Sequence, residues 1–90
     1  MISVTLVDAN TYEVVVGNGA CRVHRVRMNG DYYRQLSGGA FTHEWVLVQA
    51  FRFLLEREPD ASLPAEFDLA ALAADYPGFE ADIGRRLHRR

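Results

Sequence analysis

The hydrophobic pattern of the chain changes its period once, and this change limits the possible fold more than any other feature. In residues 2–7 and 12–16 apolar side chains alternate along the chain, which is the period of a β-strand. Residues 8–11 have turn chemistry, and Gly-Asn-Gly at 17–19 favours a second reversal before a third strand at 21–28. The first part of the chain therefore predicts a three-stranded antiparallel meander.

The second part of the chain has apolar side chains at helical spacing. A long helix is predicted at 42–58, where Thr42 suits the N-cap and Pro59 follows the pattern. Its predicted core face consists of Leu47, Val48, Phe51, Leu54 and Leu55. Shorter helices are predicted at 32–37, 68–75 and 77–88. Strands followed by helices in one chain indicate an α+β fold, with the meander packed on the long helix.

The shorter helices have their own start signals. Asp31 and Asp68 are predicted as N-caps, because a carboxylate accepts hydrogen bonds from the free backbone N–H groups of a first helical turn. Pro77 suits the first turn of the last helix, in which apolar residues recur every fourth position at Phe79, Ile83 and Leu87. The end of the chain is therefore predicted to be helical.

A second apolar row runs along the other side of the long helix. Trp45, Gln49 and Phe53 follow one another at a spacing of four residues, so they share one side. The later helices can cover this row within the monomer, and this is the interpretation we favour. Alternatively, the row can contact a second protein. For the second case, the predicted partner-binding residues are Trp45, Gln49 and Phe53.

Length and composition restrict the class of protein. The chain has 90 residues, enough for one domain and too few for a second core. With 49% hydrophobic and 24% charged residues, it matches a globular domain and excludes a collagen-like rod or a disordered tail. The single cysteine, Cys21, cannot form an internal disulfide, and we expect neither a secretory signal nor a membrane span. These features predict a cytoplasmic protein.

No residue pattern indicates catalysis or a cofactor. Cys21 and His24 have the spacing C-x-x-H, but His43 and His88 lie far away in sequence, so a zinc site with four ligands is not expected. The glycines lack the spacing of a nucleotide-binding loop, and the acidic residues lack the spacing of an EF-hand. We therefore predict no metal, no cofactor and no enzymatic activity.

Arginine is the one residue type that suggests an alternative function. All ten basic residues are arginine, although the formal net charge is −2. Arginines close to Tyr32 and Tyr33, together with those near the end of the chain, could contact phosphates or bases. The predicted nucleic-acid residues are Arg22, Arg25, Arg27, Arg34, Arg85, Arg86, Arg89 and Arg90. The competing interpretation is that these side chains pair with the acidic segment at 58–84 or lie in water.

One set of short strings resembles a known group of proteins. The strings V-H-R-V-R-M-N-G-D-Y-Y-R-Q-L-S-G-G, A-F-R-F-L-L-E-R-E-P, F-D-L and Y-P-G-F-E lie within residues 23–83. They are similar to a pattern in a group of small, uncharacterised bacterial proteins. The resemblance implies a bacterial origin and an α+β layout, and it implies no catalytic residue.

These observations together predict a non-enzymatic protein-binding or assembly module. Its partner would be an unidentified protein or a second copy of the chain, and no membrane is involved. The alternative is a nucleic-acid-binding accessory protein or a regulator resembling antitoxins, in which three strands also precede a helix. The arginines would then form the binding surface, and binding would weaken steeply with added salt.

Overall fold

The computed structural model describes residues 2–17, 22–58 and 62–88. The strands in this part of the chain are β1 (Ile2–Asp8), β2 (Thr11–Val16), β3 (Arg22–Arg27) and β4 (Glu66–Asp68). The helices are α1 (Gly30–Ser37), α2 (His43–Arg57), α3 (Leu69–Ala73) and α4 (Phe79–His88). Strands and helices occupy separate stretches of most of the chain, so the predicted α+β class is confirmed.

The strands form one mixed sheet in the order β1-β2-β3-β4. The first three strands are antiparallel neighbours, as the meander predicts. β4 was not predicted, and it pairs in parallel with β3 through Phe67 opposite Val26. Because β4 has only three residues and its partner lies far away in sequence, its local pattern carries no strand signal.

The first hairpin turns at Ala9 and Asn10. Asn10 has a φ of 57°, in the left-handed region that asparagine tolerates better than most residues. The pairing shifts by one residue between Leu6 and Asp8, which is a β-bulge. The second predicted reversal at 17–19 and Cys21 fall largely or wholly outside the described residues.

Two of the predicted helix caps are confirmed and one is wrong. Thr42 accepts the Trp45 backbone N–H at 3.1 Å, and Asp68 accepts the N–H of Ala70 at 3.0 Å. Asp31 does not cap α1, because that helix begins earlier and Asn29 accepts the Tyr32 N–H at 2.8 Å. Asp31 lies instead in the first turn, where an acidic side chain favours the positive end of the helix.

The last helix begins later than predicted. α4 starts at Phe79 because Gly78 has a φ of 84°, which interrupts helical geometry after Pro77. From there on the predicted stripe is correct, since Phe79, Ile83 and Leu87 are all buried. The other predicted ends agree with the observed helices within a few residues.

α2 lies in the middle of the core. One side of it packs against the sheet, where Phe51 lies close to His24 and Phe67. Another side packs against α4, where Phe53 meets Phe79. The helices all lie on one face of the sheet, the face formed by buried β2 and β3 side chains, namely Tyr12, Val14, Val16, His24 and Val26. The opposite face carries mostly exposed side chains.

Candidate functional site

The predicted partner-binding row on α2 is divided by the fold. Phe53 is completely buried and Gln49 is 5% exposed, whereas Trp45 is 43% exposed. The Phe53 ring meets Phe79 edge to face at 5.0 Å between centroids, and the Arg57 guanidinium carbon lies 3.6 Å from the Phe53 centroid. The favoured interpretation, coverage of this row within the monomer, holds for Gln49 and Phe53, and α4 covers Phe53. The prediction that these two residues face a partner is therefore wrong.

Trp45 belongs instead to a different row on α2. Val48, Arg52 and Leu55 follow it at spacings of three, four and three residues, which places all four on one side of the helix. The Arg52 guanidinium carbon lies 5.9 Å from the Trp45 ring centroid. Val48 and Leu55 are half-buried although both were assigned to the core face. We call Trp45, Val48, Arg52 and Leu55 the outer row of α2.

The strand next to α2 has a free edge. β1 is the first strand in the sheet order, so one of its two sides has no neighbouring strand among the described residues. α2 packs against β1, while α3 packs against β4 at the other end of the sheet. The free edge of β1 therefore lies on the α2 side of the sheet and away from α3 and β4.

The hydrogen bonds between β2 and β3 show which β1 groups point outward. Met28 donates its N–H to the Asn10 carbonyl at 2.8 Å, which makes these two residues a hydrogen-bonded pair. Along an antiparallel ladder, the N–H and C=O groups of successive residues point to opposite sides of the strand. The N–H and C=O groups of Tyr12 and Val14 therefore also point toward β3. Arg25 agrees with this alternation, because its N–H points away from β2 and donates to Ala65 at 2.7 Å.

The same alternation continues into β1. Since the backbone groups of Tyr12 and Val14 point toward β3, those of Glu13 point toward β1. Glu13 therefore forms main-chain hydrogen bonds with Thr5, its partner in the register. Val4 and Leu6 pair with Val14 and Tyr12, which point away from β1, so their N–H and C=O groups point to the free edge. Ile2 has the same direction by periodicity. The free edge therefore presents the backbone groups of Ile2, Val4 and Leu6.

The two edges of the sheet differ in their protection. β4 is a three-residue strand with acidic side chains at Glu66 and Asp68, and proteins commonly protect sheet edges with short strands and charges. β1 has seven residues, and none of those from Ile2 to Val7 is charged. Leu6 and Val7 are among the exposed large hydrophobic side chains. Of the two sheet edges in the described part of the chain, the β1 edge is the one with the character of a pairing site.

The β1 edge was not among the predicted sites. The uncharged alternation from Ile2 to Val7 was visible, but it indicates a strand and not its place in a sheet. A meander of three strands has two edges, and only the docking of β4 on β3 leaves β1 as the long free one.

Two of the β3 arginines, Arg25 and Arg27, lie beside acidic residues on the open face of the sheet. Arg25 pairs in register with Glu13 on one side and Glu66 on the other, and its guanidinium is 4.0 Å from the Glu13 carboxylate. Arg27 is beside Asp68 in the register. Arg25, Arg27, Glu66 and Asp68 line a cleft of about 220 Å³. The cleft has mixed charge, which does not favour binding of a polyanion.

The α4 arginines form ion pairs with nearby carboxylates. Arg86 donates to Glu56 at 2.6 Å and to Asp82 at 3.0 Å, and Arg85 donates to Asp82 at 2.9 Å. The hydrogen bond from Arg86 lowers the pKa of Glu56. Burial would raise the pKa of Asp82, but the hydrogen bonds from Arg86 and Arg85 outweigh burial and lower it. This cluster joins α4 to α2.

The remaining predicted arginines do not complete a basic patch. Arg34 pairs with Asp31 on α1. Arg22 is exposed at the start of β3, and Arg89 and Arg90 lie outside the described residues. The predicted arginines in the described part of the chain are thus distributed over β3, α1 and α4, and those of α1 and α4 are paired with carboxylates.

His24 has a structural position. Its ring is buried against Phe51 and Phe67, and Nδ1 lies 2.7 Å from the Pro64 carbonyl oxygen. Because a carbonyl oxygen only accepts, Nδ1 carries the proton in this bond. Among the described residues, no group of three or more possible metal ligands is found.

His43 takes part in an aromatic stack that the sequence did not reveal. Its ring lies 3.8 Å from the Tyr33 ring and 6.0 Å from the Tyr12 ring, nearly parallel to both. Burial raises the pKa of Tyr12, and the Glu44 carboxylate raises it further. The stack joins β2, α1 and α2, so its clearest role is packing.

Comparison with protein-family models, with curated proteins and with solved structures returned no match for this chain. The resemblance to small bacterial proteins therefore stays a prediction. In the part of the chain that the structure describes, no helix is long and apolar enough to cross a membrane.

Proposed function

We propose that the chain is a non-enzymatic protein-binding or assembly module whose binding site is the free edge of β1. The observation that carries this proposal is the direction of the backbone groups of Ile2, Val4 and Leu6 along an uncharged edge. A partner segment in extended conformation adds to such an edge as a further strand. Main-chain hydrogen bonds then supply affinity, and side-chain contacts supply specificity.

Exposed apolar side chains beside the edge support this proposal. Leu6 is 55% exposed although it belongs to the same strand face as Ile2 and Val4, which pack on the core. Trp45 stays in the proposed site as an aromatic side chain on the helix that packs against β1. Aromatic residues at a protein interface often contribute much of the binding energy.

The nucleic-acid alternative has weaker support. Carboxylate partners are present for Arg25, Arg34, Arg85 and Arg86. An arginine already paired with a carboxylate is less able to neutralise a phosphate and to release the counterions of the nucleic acid. An accessory or antitoxin-like protein of this kind would show binding that falls steeply with salt. A cytoplasmic location belongs to our proposal as well, supported by the single cysteine in the sequence.

A matched pair of variants tests the proposed site. Val4→Pro removes the outward N–H of Val4, whereas Val4→Ala removes most of the same side chain and keeps the N–H. Tagged full-length chains are used to capture partners from the host cells after nuclease treatment, with identification by mass spectrometry. We expect a stoichiometric protein, including an untagged copy of the chain itself, bound by wild type and Val4→Ala and lost by Val4→Pro.

Two results would overturn the proposal. If no captured protein distinguishes Val4→Pro from Val4→Ala, the free edge of β1 is not the binding site. If the captured material disappears with nuclease or with moderate salt, the arginines are the better candidate.

A further inference from the structure

We propose that the occupant of the free edge is a second copy of this chain, joined through two antiparallel β1 strands centred on Val4. This inference rests on the proposed function of the β1 edge and names its partner. The two β1 strands would join the two sheets into one continuous sheet around a two-fold axis.

The backbone directions allow this pairing. Ile2, Val4 and Leu6 all point to the free edge, and hydrogen-bonded pairs in an antiparallel ladder recur at every second residue. With the axis at Val4, this residue exchanges two hydrogen bonds with the partner's Val4. Ile2 then meets the partner's Leu6, and Leu6 meets the partner's Ile2. The three pairs contribute about six main-chain hydrogen bonds.

The side chains are complementary in the same register. On the helix side of the sheet, only Ile2, Val4 and Leu6 meet their counterparts, so every cross-strand pair is aliphatic. Leu6, which is 55% exposed in the monomer, is covered by the partner's Ile2. On the open side, Ser3 lies opposite the partner's Thr5, and such hydroxyl pairs are favourable neighbours. No charged side chain is placed opposite another in this ladder.

The pairing has a natural end. The bulge between Leu6 and Asp8 interrupts the register after Leu6. The Asp8 carboxylate turns back to accept the Ala9 N–H at 2.8 Å. The self-paired segment is therefore limited to Ile2–Leu6, which excludes a longer ladder that could slip in register.

The pairing also leads to a dimer and not to a polymer. Each copy uses its β1 edge once, and a two-fold contact between identical surfaces closes on itself. The outer edges of the combined sheet would be the two β4 strands, which are short and acidic. A foreign peptide would satisfy the same backbone groups, but the apolar match along the strand favours a copy of β1 itself.

The two-fold axis brings the α2 helices to the same face of the combined sheet. Each α2 packs against its own β1, so the two helices flank the junction. Trp45 and Leu55 in the outer row leave apolar surface on the same helix. The paired β1 strands and the two α2 helices beside them would together form one interface.

Sedimentation equilibrium of the full chain over a range of concentrations tests the inference. We expect a reversible change from the chain mass of 10.2 kDa to twice this mass. Val4→Pro should raise the dimer dissociation constant by about 100-fold or more, because it removes the two central hydrogen bonds and strains the register. Val4→Ala should stay within about tenfold of wild type.

A second pair of variants covers the case that Val4→Pro does not fold. Leu6→Lys places a charge in the proposed ladder, whereas Val23→Lys changes a side chain of similar exposure, 51%, in β3 and away from the edge. We expect Leu6→Lys to be monomeric and Val23→Lys to dimerise like wild type. Equal behaviour of the two variants would overturn the inference.

The outcomes separate this inference from the proposed function. A wild-type chain that stays monomeric at every concentration overturns the second copy as the occupant. If a captured foreign protein then distinguishes Val4→Pro from Val4→Ala, the proposed function still holds. A dimer that survives both Val4→Pro and Leu6→Lys also overturns the inference, because its contact then lies elsewhere.

Discussion

His24 shows how one buried polar side chain connects two distant parts of the chain. The residue lies in β3, and its Nδ1–H bonds the Pro64 carbonyl just ahead of β4. The ring also fills space between Phe51 and Phe67. The sequence showed His24 only as part of a C-x-x-H spacing with Cys21, and its burial and its long-range bond to Pro64 were not predicted.

Replacement of His24 measures this connection. We expect His24→Ala to lower the free energy of unfolding by about 3 kcal/mol, because it leaves a cavity and an unpaired buried carbonyl. His24→Asn keeps an N–H donor close to the position of Nδ1 and should lose less. Urea unfolding followed by circular dichroism gives both values. Equal losses for the two variants would show that the hydrogen bond contributes nothing.

Phe53 and Trp45 differ in burial although both belong to α2. Phe53 is enclosed by α4, so Phe53→Ala should lower the free energy of unfolding by about 4 kcal/mol. Trp45 is largely on the surface, so Trp45→Ala should cost about 1 kcal/mol or less at protein concentrations where the chain is monomeric. Urea unfolding of both variants tests whether Phe53 is buried and Trp45 is on the surface. A similar decrease in the free energy of unfolding for both variants would contradict this difference.

At the scale of elements, α4 is attached to α2 by packing and by charge. Phe79 and Ile83 supply buried apolar contacts, and Arg86 links Asp82 to Glu56 on α2. Surface ion pairs contribute little individually, but a shared arginine with two carboxylates is a small network. This attachment is what buries Phe53 and removes it from the candidate surface.

The α4 network predicts a pH-dependent contribution to stability. The folded-state pKa values of Glu56 and Asp82 are lowered, so their contribution is present above the unfolded values and is lost as the pH falls through the folded ones. Arg86→Gln should lower the thermal unfolding midpoint by a few degrees at neutral pH, and the difference should shrink below about pH 4. Arg85→Gln, which loses one exposed pair, is the control and should change the midpoint less. A difference for Arg86→Gln that is independent of pH would exclude this explanation.

A proline series along β1 tests the direction of its backbone groups. Val4→Pro and Leu6→Pro remove N–H groups that point to the free edge, so the monomer should still fold. Ser3→Pro and Thr5→Pro remove N–H groups bonded to β2 and should unfold it or strongly destabilise it. Alanine at each position controls for the lost side chain, and circular dichroism during heating gives the result. The opposite alternation would reverse our assignment of the edge.

Local sequence patterns predicted the strands and helices better than they predicted which of these elements pack together. The meander, the Thr42 cap of α2 and the apolar stripe of α4 depend on short-range spacing, and all were predictable. β4 was missed because three residues acquire strand structure only by pairing with β3. Coverage of Phe53 by a later helix was the favoured interpretation of the sequence, whereas the free edge of β1 depends on which strands dock on the meander. The candidate site could therefore not be predicted from the sequence alone.

At the scale of the whole molecule, the sheet is asymmetric. Helices cover one of its faces, one edge ends in the short acidic β4, and the other edge is β1, which is uncharged from Ile2 to Val7. A sheet with one protected and one unprotected edge is suited to a single strand-to-strand contact. A two-fold dimer through β1 would leave only protected edges, which accounts for the difference between them.

The most direct test of this account is amide hydrogen exchange of β1 in the wild-type chain, resolved by residue with nuclear magnetic resonance. We predict that Ser3 and Thr5 exchange slowly at all concentrations, because their N–H groups bond to β2. Val4 and Leu6 should exchange slowly at high protein concentration and quickly after dilution, as the second copy leaves the edge. Fast exchange of Val4 and Leu6 at every concentration would contradict the account.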